Sequence, residues 1–118
     1  MSGVQDKVVV ITGGTSGIGE AAALKLAKMG ARIVLVARDA NRAEATLKQL
    51  RERSPATAAH TAHLADLSLI GETRRVGREI AAIEPRIDVL INNAGLICAR
   101  RQVTAEGYEL TFASLDFA

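Results

Sequence analysis

The sequence predicts an α/β fold in which helices cover both faces of a parallel sheet, and three observations lead there. Apolar stretches of strand length alternate with longer segments of helical period, the mark of βα units feeding a parallel sheet. The chain is 48% hydrophobic but only 3% aromatic, so Val, Ile, Leu and Ala must fill the core, which suits strands covered by helices. Its 118 residues match the common size of one domain, so residues 1–118 are read as a single unit.

Each element has its own signal. The first strand runs from Lys7 to Thr12. After a glycine-rich turn, Ile18, Ala22 and Leu26 recur on one helical face, and that helix stops at Gly30. Arg32 to Ala37 reads as the second strand. Ala43, Leu47 and Leu50 mark a second helix, ended by Ser54-Pro55 because the residue before proline is pushed out of the helical region. A third strand is expected within Thr57 to Leu64, with a weaker signal. Ser68 is placed to cap a third helix, whose Leu69, Thr73, Val76, Ile80 and Ile83 form the clearest apolar stripe in the chain before Glu84-Pro85. Ile87, Val89, Leu90 and Ile91 make strand four, the Asn92 to Gly95 turn follows, and Thr104 to about Leu115 opens a fourth helix.

Several classes of function fall away on composition. The net charge is +2, with arginines scattered among acids, a poor footprint for nucleic acid. Cys98 is the only cysteine, which excludes an intrachain disulfide or a thiolate metal cluster and suits a reducing, cytoplasmic compartment. Val8 to Ile11 is too short a run for a signal segment or a membrane span, so no membrane anchor is expected. His60, His63 and Asp66 are three apart, but strand geometry turns the two histidines to opposite faces, so they are read as solvated side chains and no metal site is expected. Cys98 is read as a small hydrophobe and Arg100-Arg101 as a solvated turn.

The segment Thr12-Gly13-Gly14-Thr15-Ser16-Gly17-Ile18-Gly19 lies between a strand and a helix, where a dinucleotide pyrophosphate meets unpaired backbone N–H groups. Gly13 permits the tight turn, Gly17 the approach of backbone to phosphate, and Gly19 the close packing of helix on sheet. Thr15 and Ser16 add hydroxyl donors. No Gly-Lys-Ser/Thr follows, which excludes a nucleoside-triphosphate P-loop.

With this turn at Thr12, Gly13, Gly17 and Gly19, and with Asn92-Asn93-Ala94-Gly95 closing strand four, the chain resembles the short-chain dehydrogenase/reductase family over roughly residues 5 to 113. Asp88-Val89-Leu90-Ile91 and the segment from Thr104 to Leu110 are most similar to its retinol-dehydrogenase-like branch. The resemblance implies a Rossmann-type three-layer sheet of order 3-2-1-4, truncated after strand four relative to the family. It further implies that Gly13, Thr15, Ser16, Gly17, Ile18, Gly19, Asn92, Ala94 and Gly95 line the cofactor cleft. Asp66 and Leu67 would contact adenine, with Asp66 facing the exocyclic amine; the alternative is that Asp66 caps the next helix.

NAD-using relatives of this fold place a carboxylate about 20 positions past the glycine turn, against the ribose 2′-hydroxyl. Here that position is Ala37, and Arg38 follows with a guanidinium suited to a 2′-phosphate, so NADP(H) is expected in preference to NAD. Arg42 could add a second charge, while Asp39 offers Arg38 a local partner.

The family transfers hydride between nicotinamide and an alcohol or carbonyl substrate, with a serine and a Tyr-x-x-x-Lys segment managing the proton. Tyr108 is the one tyrosine; the lysines, at 7, 25, 28 and 48, all precede it, so the resemblance yields no catalytic residue here. The family's strand-five serine has no counterpart, and its helical asparagine would align with Leu115. The expected function is therefore the NADP(H)-binding portion of an oxidoreductase, inactive alone. The alternatives are a non-catalytic NADP-binding or partner-binding module, or a truncated product without activity.

Overall fold

The computed structural model describes residues 4–13, 15, 17–55 and 59–92. Along them run β1 (Val8–Thr12), α1 (Gly17–Lys28), β2 (Arg32–Ala37), α2 (Ala40–Arg53), β3 (Thr61–Leu64), α3 (Ile70–Ile83) and β4 (Val89–Asn92). The strands form one parallel sheet in the order β3-β2-β1-β4, as the resemblance implies. The expected fourth helix from Thr104 lies outside the described residues.

Alternation along the strands makes the layers. Val8 and Val10 of β1, with Val34 and Val36 of β2, turn to one face and pack under Val76 and Ile80 of α3. Val9, Ile11, Ile33 and Leu35 turn to the other face, against Ala23 and Ala27 of α1 and Leu47 and Leu50 of α2. Both faces are covered, which is why β1 and nearly all of β2 are buried and read as continuous apolar runs.

The buried stripe of α1 differs from the expected one. It is Gly19, Ala23 and Ala27, whereas Ile18 is 82% exposed. Small residues face the sheet because α1 packs closely upon it, so size overrides hydrophobicity in choosing the inward face. In α3, Thr73, Val76 and Ile80 are buried as expected, but Leu69 and Ile83, at its two ends, are exposed. Ser68 does not cap α3. Its N–H and hydroxyl both donate to Asp66 Oδ1, and Leu69 occupies the cap position with no side-chain bond.

The two histidines are buried rather than solvated. His60 Nδ1 accepts from the Ile33 N–H at 3.0 Å, and Ser54 Oγ lies 2.7 Å from its Nε2. Ser54 donates its hydroxyl proton to the Leu50 carbonyl, so His60 Nε2 must donate to Ser54 Oγ. That pattern requires the neutral ring. His63, on β3, places Nδ1 2.7 Å from Glu79 Oε1.

Burial, followed by the positive charges of Arg51 and Arg32, holds the His60 pKa below the ordinary histidine value. As pH falls, the unfolded chain therefore takes up this proton first. The stabilisation is complete above about pH 6.5 and is lost as the pH drops from there through the lower folded value. Urea titrations should show stability decreasing below pH 6.5. His60→Leu should cost about 1–3 kcal/mol at neutral pH by orphaning the Ile33 N–H. It should also flatten the acid limb; a limb of unchanged steepness would assign the acid sensitivity elsewhere.

Candidate functional site

In this sheet the chain steps outward from β1 to β2 and β3, then returns to place β4 on the other side of β1. The reversal opens a crevice at the carboxyl ends of β1 and β4, where parallel α/β sheets bind ligands. Register brings the relevant ends level. Thr12 pairs with both Val36 and Asn92, and Ala37 pairs with Leu64.

At the floor of the crevice the Thr12 hydroxyl donates to Asn92 Oδ1 at 2.8 Å. This bond ties the last residues of β1 and β4 together by their side chains as well as by the ladder. Gly13 then leaves the strand, its N–H held by the Val36 carbonyl at 3.2 Å. Gly13 and Gly17 have φ of 67° and 56°, the left-handed region that L side chains rarely adopt, so both ends of the turn require glycine. A Cβ added at Gly17 would meet nothing within 4 Å, which leaves open space in front of the first turn of α1. An anion placed there would face the unpaired N–H groups at the start of α1 and the positive end of its dipole.

Thr15 is half-buried beside the turn and Gly19 is buried beneath it, while Ile18 points outward. Ile18 can therefore serve a ligand here only through its backbone or from the outer side of the helix. Ser16, Ala94 and Gly95, also expected in the site, lie outside the described residues, as do Asn93, Cys98, Arg100, Arg101 and Tyr108.

The second half of the site lies at the ends of β2 and β3. Ala37 closes β2, and Arg38 follows it, exposed and without an ion pair among the described residues. Asp39, expected to offer Arg38 a partner, is used otherwise. Its Oδ1 accepts from the N–H groups of Asn41 at 2.8 Å and Arg42 at 3.2 Å, capping α2. The guanidinium is left available, and Arg42 is exposed one turn further on.

Pairing of β2 and β3 continues past the last ladder residues, with the Ala65 N–H on the Ala37 carbonyl at 2.9 Å. Asp66 is thus carried into the neighbourhood of Arg38. The Ser68 hydroxyl and N–H beside it, and more weakly the Arg38 charge, hold the Asp66 carboxyl below its ordinary pKa. It is a fixed anion at neutral pH. Its Asx-type turn onto Ser68 answers the capping alternative, since Asp66 bonds no N–H within the first turn of α3. Leu67 packs its side chain against the core cluster under α3.

Two contacts of this region were not anticipated from sequence. The Thr12–Asn92 bond joins residues 80 apart and has no local signal. The other is a cluster on α3 in which Arg75 bonds Glu72, Glu79 and the Leu64 carbonyl. Its spacing of i, i+3 and i+7 was legible as a charged helix face, but not its hold on β3.

Comparison with known proteins agrees with this geometry. The family model for short chain dehydrogenases matches residues 7–114. Human retinol dehydrogenase 13 is 36% identical over 109 residues, covering 92% of this chain and 33% of the relative. L-sorbose reductase from Gluconobacter frateurii, solved with NADPH and L-sorbose, superposes with a TM-score of 0.72 at 34% identity, over 85% of this chain and 37% of that one. An NADH-dependent reductase, A1-R′, solved with NAD, gives a TM-score of 0.70 at 31% identity, over 95% of this chain and 47% of that one. The chain spans about a third of the length of the curated relatives it matches. Among the described residues no helix is long and apolar enough to cross a membrane. Matched over nearly its whole length and folded in the order β3-β2-β1-β4, the chain belongs to the short-chain dehydrogenase family.

Proposed function

We propose that this chain is the NADP(H)-binding portion of an oxidoreductase that moves a hydride between nicotinamide and an alcohol or carbonyl substrate. The observation that carries the cofactor choice is the end of β2, where Ala37 removes the carboxylate that would bond a 2′-hydroxyl and Arg38 stands exposed and unpaired among the described residues. The bound dinucleotide would supply the hydride. The chain's own residues would bind and orient it. The N–H groups opening α1 hold the pyrophosphate in the space before Gly17, Arg38 pairs with the 2′-phosphate, and Asp66 and Leu67 border the adenine. Thr12 and Asn92 brace the strands beneath, while Thr15, Ser16, Ala94 and Gly95 complete the cleft wall in this reading.

Calorimetry tests the choice. The parent should bind NADPH more tightly than NADH, and Arg38→Ala should cost on the order of 1.5–3 kcal/mol for NADPH with little change for NADH. An equal loss for both cofactors would reduce Arg38 to a structural residue and remove the basis for NADP preference.

A second reading is a dinucleotide-binding module without catalysis. Binding is common to both readings and turnover separates them.

A further inference from the structure

Arg75 sits on the second turn of α3 and reaches back over the end of β3. Its Nη2 donates to the Leu64 carbonyl at 2.7 Å, while Nε and Nη2 engage the two Glu72 oxygens at 3.0 and 3.1 Å. Its Nη1 donates to Glu79 Oε2 at 2.8 Å, and the other Glu79 oxygen lies 2.7 Å from His63 Nδ1. Arg75, braced by Glu72 and Glu79, therefore grips the backbone carbonyl immediately before Ala65. A bidentate carboxylate–guanidinium pair is geometrically rigid, so what it grips is held in a defined orientation.

Neither Glu72 nor Arg75 is needed to fill the core; α3 packs through Thr73, Val76 and Ile80. Edge strands usually leave their outer backbone groups to water, and β3 is an edge strand of the described sheet. The grip falls on Leu64, the last residue of β3 and two residues before Asp66.

We infer that Arg75 and the Glu72 that braces it are positioning residues: they hold the Leu64 carbonyl, two residues before Asp66, and so aim the Asp66 carboxylate at the adenine amine of the dinucleotide. This inference rests on the dinucleotide reading of the site. The clamp acts through orientation: Asp66 keeps its charge and its local turn onto Ser68 without it, but that turn as a whole is carried by the Leu64–Ala65 backbone, which the clamp holds against α3.

The test uses a ligand pair differing at the recognised atom, NADPH and its hypoxanthine analogue, which carries a carbonyl where adenine has its amine. The full chain should prefer NADPH by about tenfold or more, because a carboxylate accepts from the amine and repels the carbonyl. Arg75→Met and Glu72→Met, which keep helix propensity and stem volume, should each bring that ratio to within about threefold of unity, the direct consequence of one misaligned charge-assisted bond. Arg74→Met, on the exposed face of the same helix, should leave the ratio unchanged. If the clamp variants weaken both ligands equally and keep the parent's ratio, the two residues are only structural and the proposal is overturned while the dinucleotide site stands. If both variants fail to fold by circular dichroism, the two residues are structural and the proposal is overturned. A parent that binds both ligands equally overturns the aiming of Asp66, and a parent that binds neither overturns the dinucleotide reading and the clamp with it.

Discussion

At saturating NADPH, with aldehydes and ketones supplied, the 118-residue chain alone is expected to show no NADPH oxidation above background. Cofactor binding brings a hydride donor into the cleft but supplies no proton to the developing alkoxide. Positioned general acid catalysis is typically worth about 10²- to 10⁴-fold, so its loss lowers turnover by that factor at least. Tyr108 is the only tyrosine, and every lysine lies before position 49, so these 118 residues hold no Tyr-x-x-x-Lys to supply that proton. The assay follows NADPH absorbance, with Tyr108→Phe as control. Turnover that this control abolishes would refute the non-catalytic reading. Turnover that appears only when a separately expressed segment carrying Tyr-x-x-x-Lys is added would assign this chain the role of a cofactor-binding half.

Gly19→Val is expected to abolish NADPH binding. Gly19 is buried on the inward stripe of α1, with Ala23 and Ala27, and a branched side chain there drives the helix away from the sheet. Overpacking of this kind costs typically about 1–3 kcal/mol, and the displaced helix carries with it the N–H groups that face the phosphates. Gly17→Ala separates the two effects. Its methyl group meets no protein atom, so the strain is confined to the left-handed backbone, roughly 1–2 kcal/mol, while the group projects into the space assigned to the pyrophosphate. A chain that stays folded by circular dichroism yet loses NADPH affinity at Gly17→Ala places the phosphates at this turn. Parent-like affinity in both variants would mean that the glycine turn is not the phosphate site.

Much of this was legible in the amino-acid order because it is governed by neighbours in sequence. Strand-length apolar runs, the stop at Ser54-Pro55 and Glu84-Pro85, and the glycine turn between β1 and α1 depend on local backbone preference, and each is found where expected. Ala37 followed by Arg38 is likewise a local fact. The tertiary structure decided what local preference leaves open. It made Gly19, Ala23 and Ala27 the fully buried face of α1, left Leu26 only partly buried against the core and turned Ile18 outward, because close approach to a sheet selects by size. It turned Asp39 to the N–H groups of α2, leaving Arg38 without an ion pair among the described residues. It buried His60 and His63, because Ile33 and Glu79 offered partners distant in sequence but adjacent across strands and helices, and Ser54 at the end of α2 closed on the other ring nitrogen of His60. It joined Thr12 to Asn92 and Arg75 to Leu64. Sequence alone determined which elements form and which turn can hold a phosphate, since those depend on bonds and dihedrals within a few residues. Partners, burial and the aim of each charged group depend on contacts between separate elements, and only the packed sheet could set them.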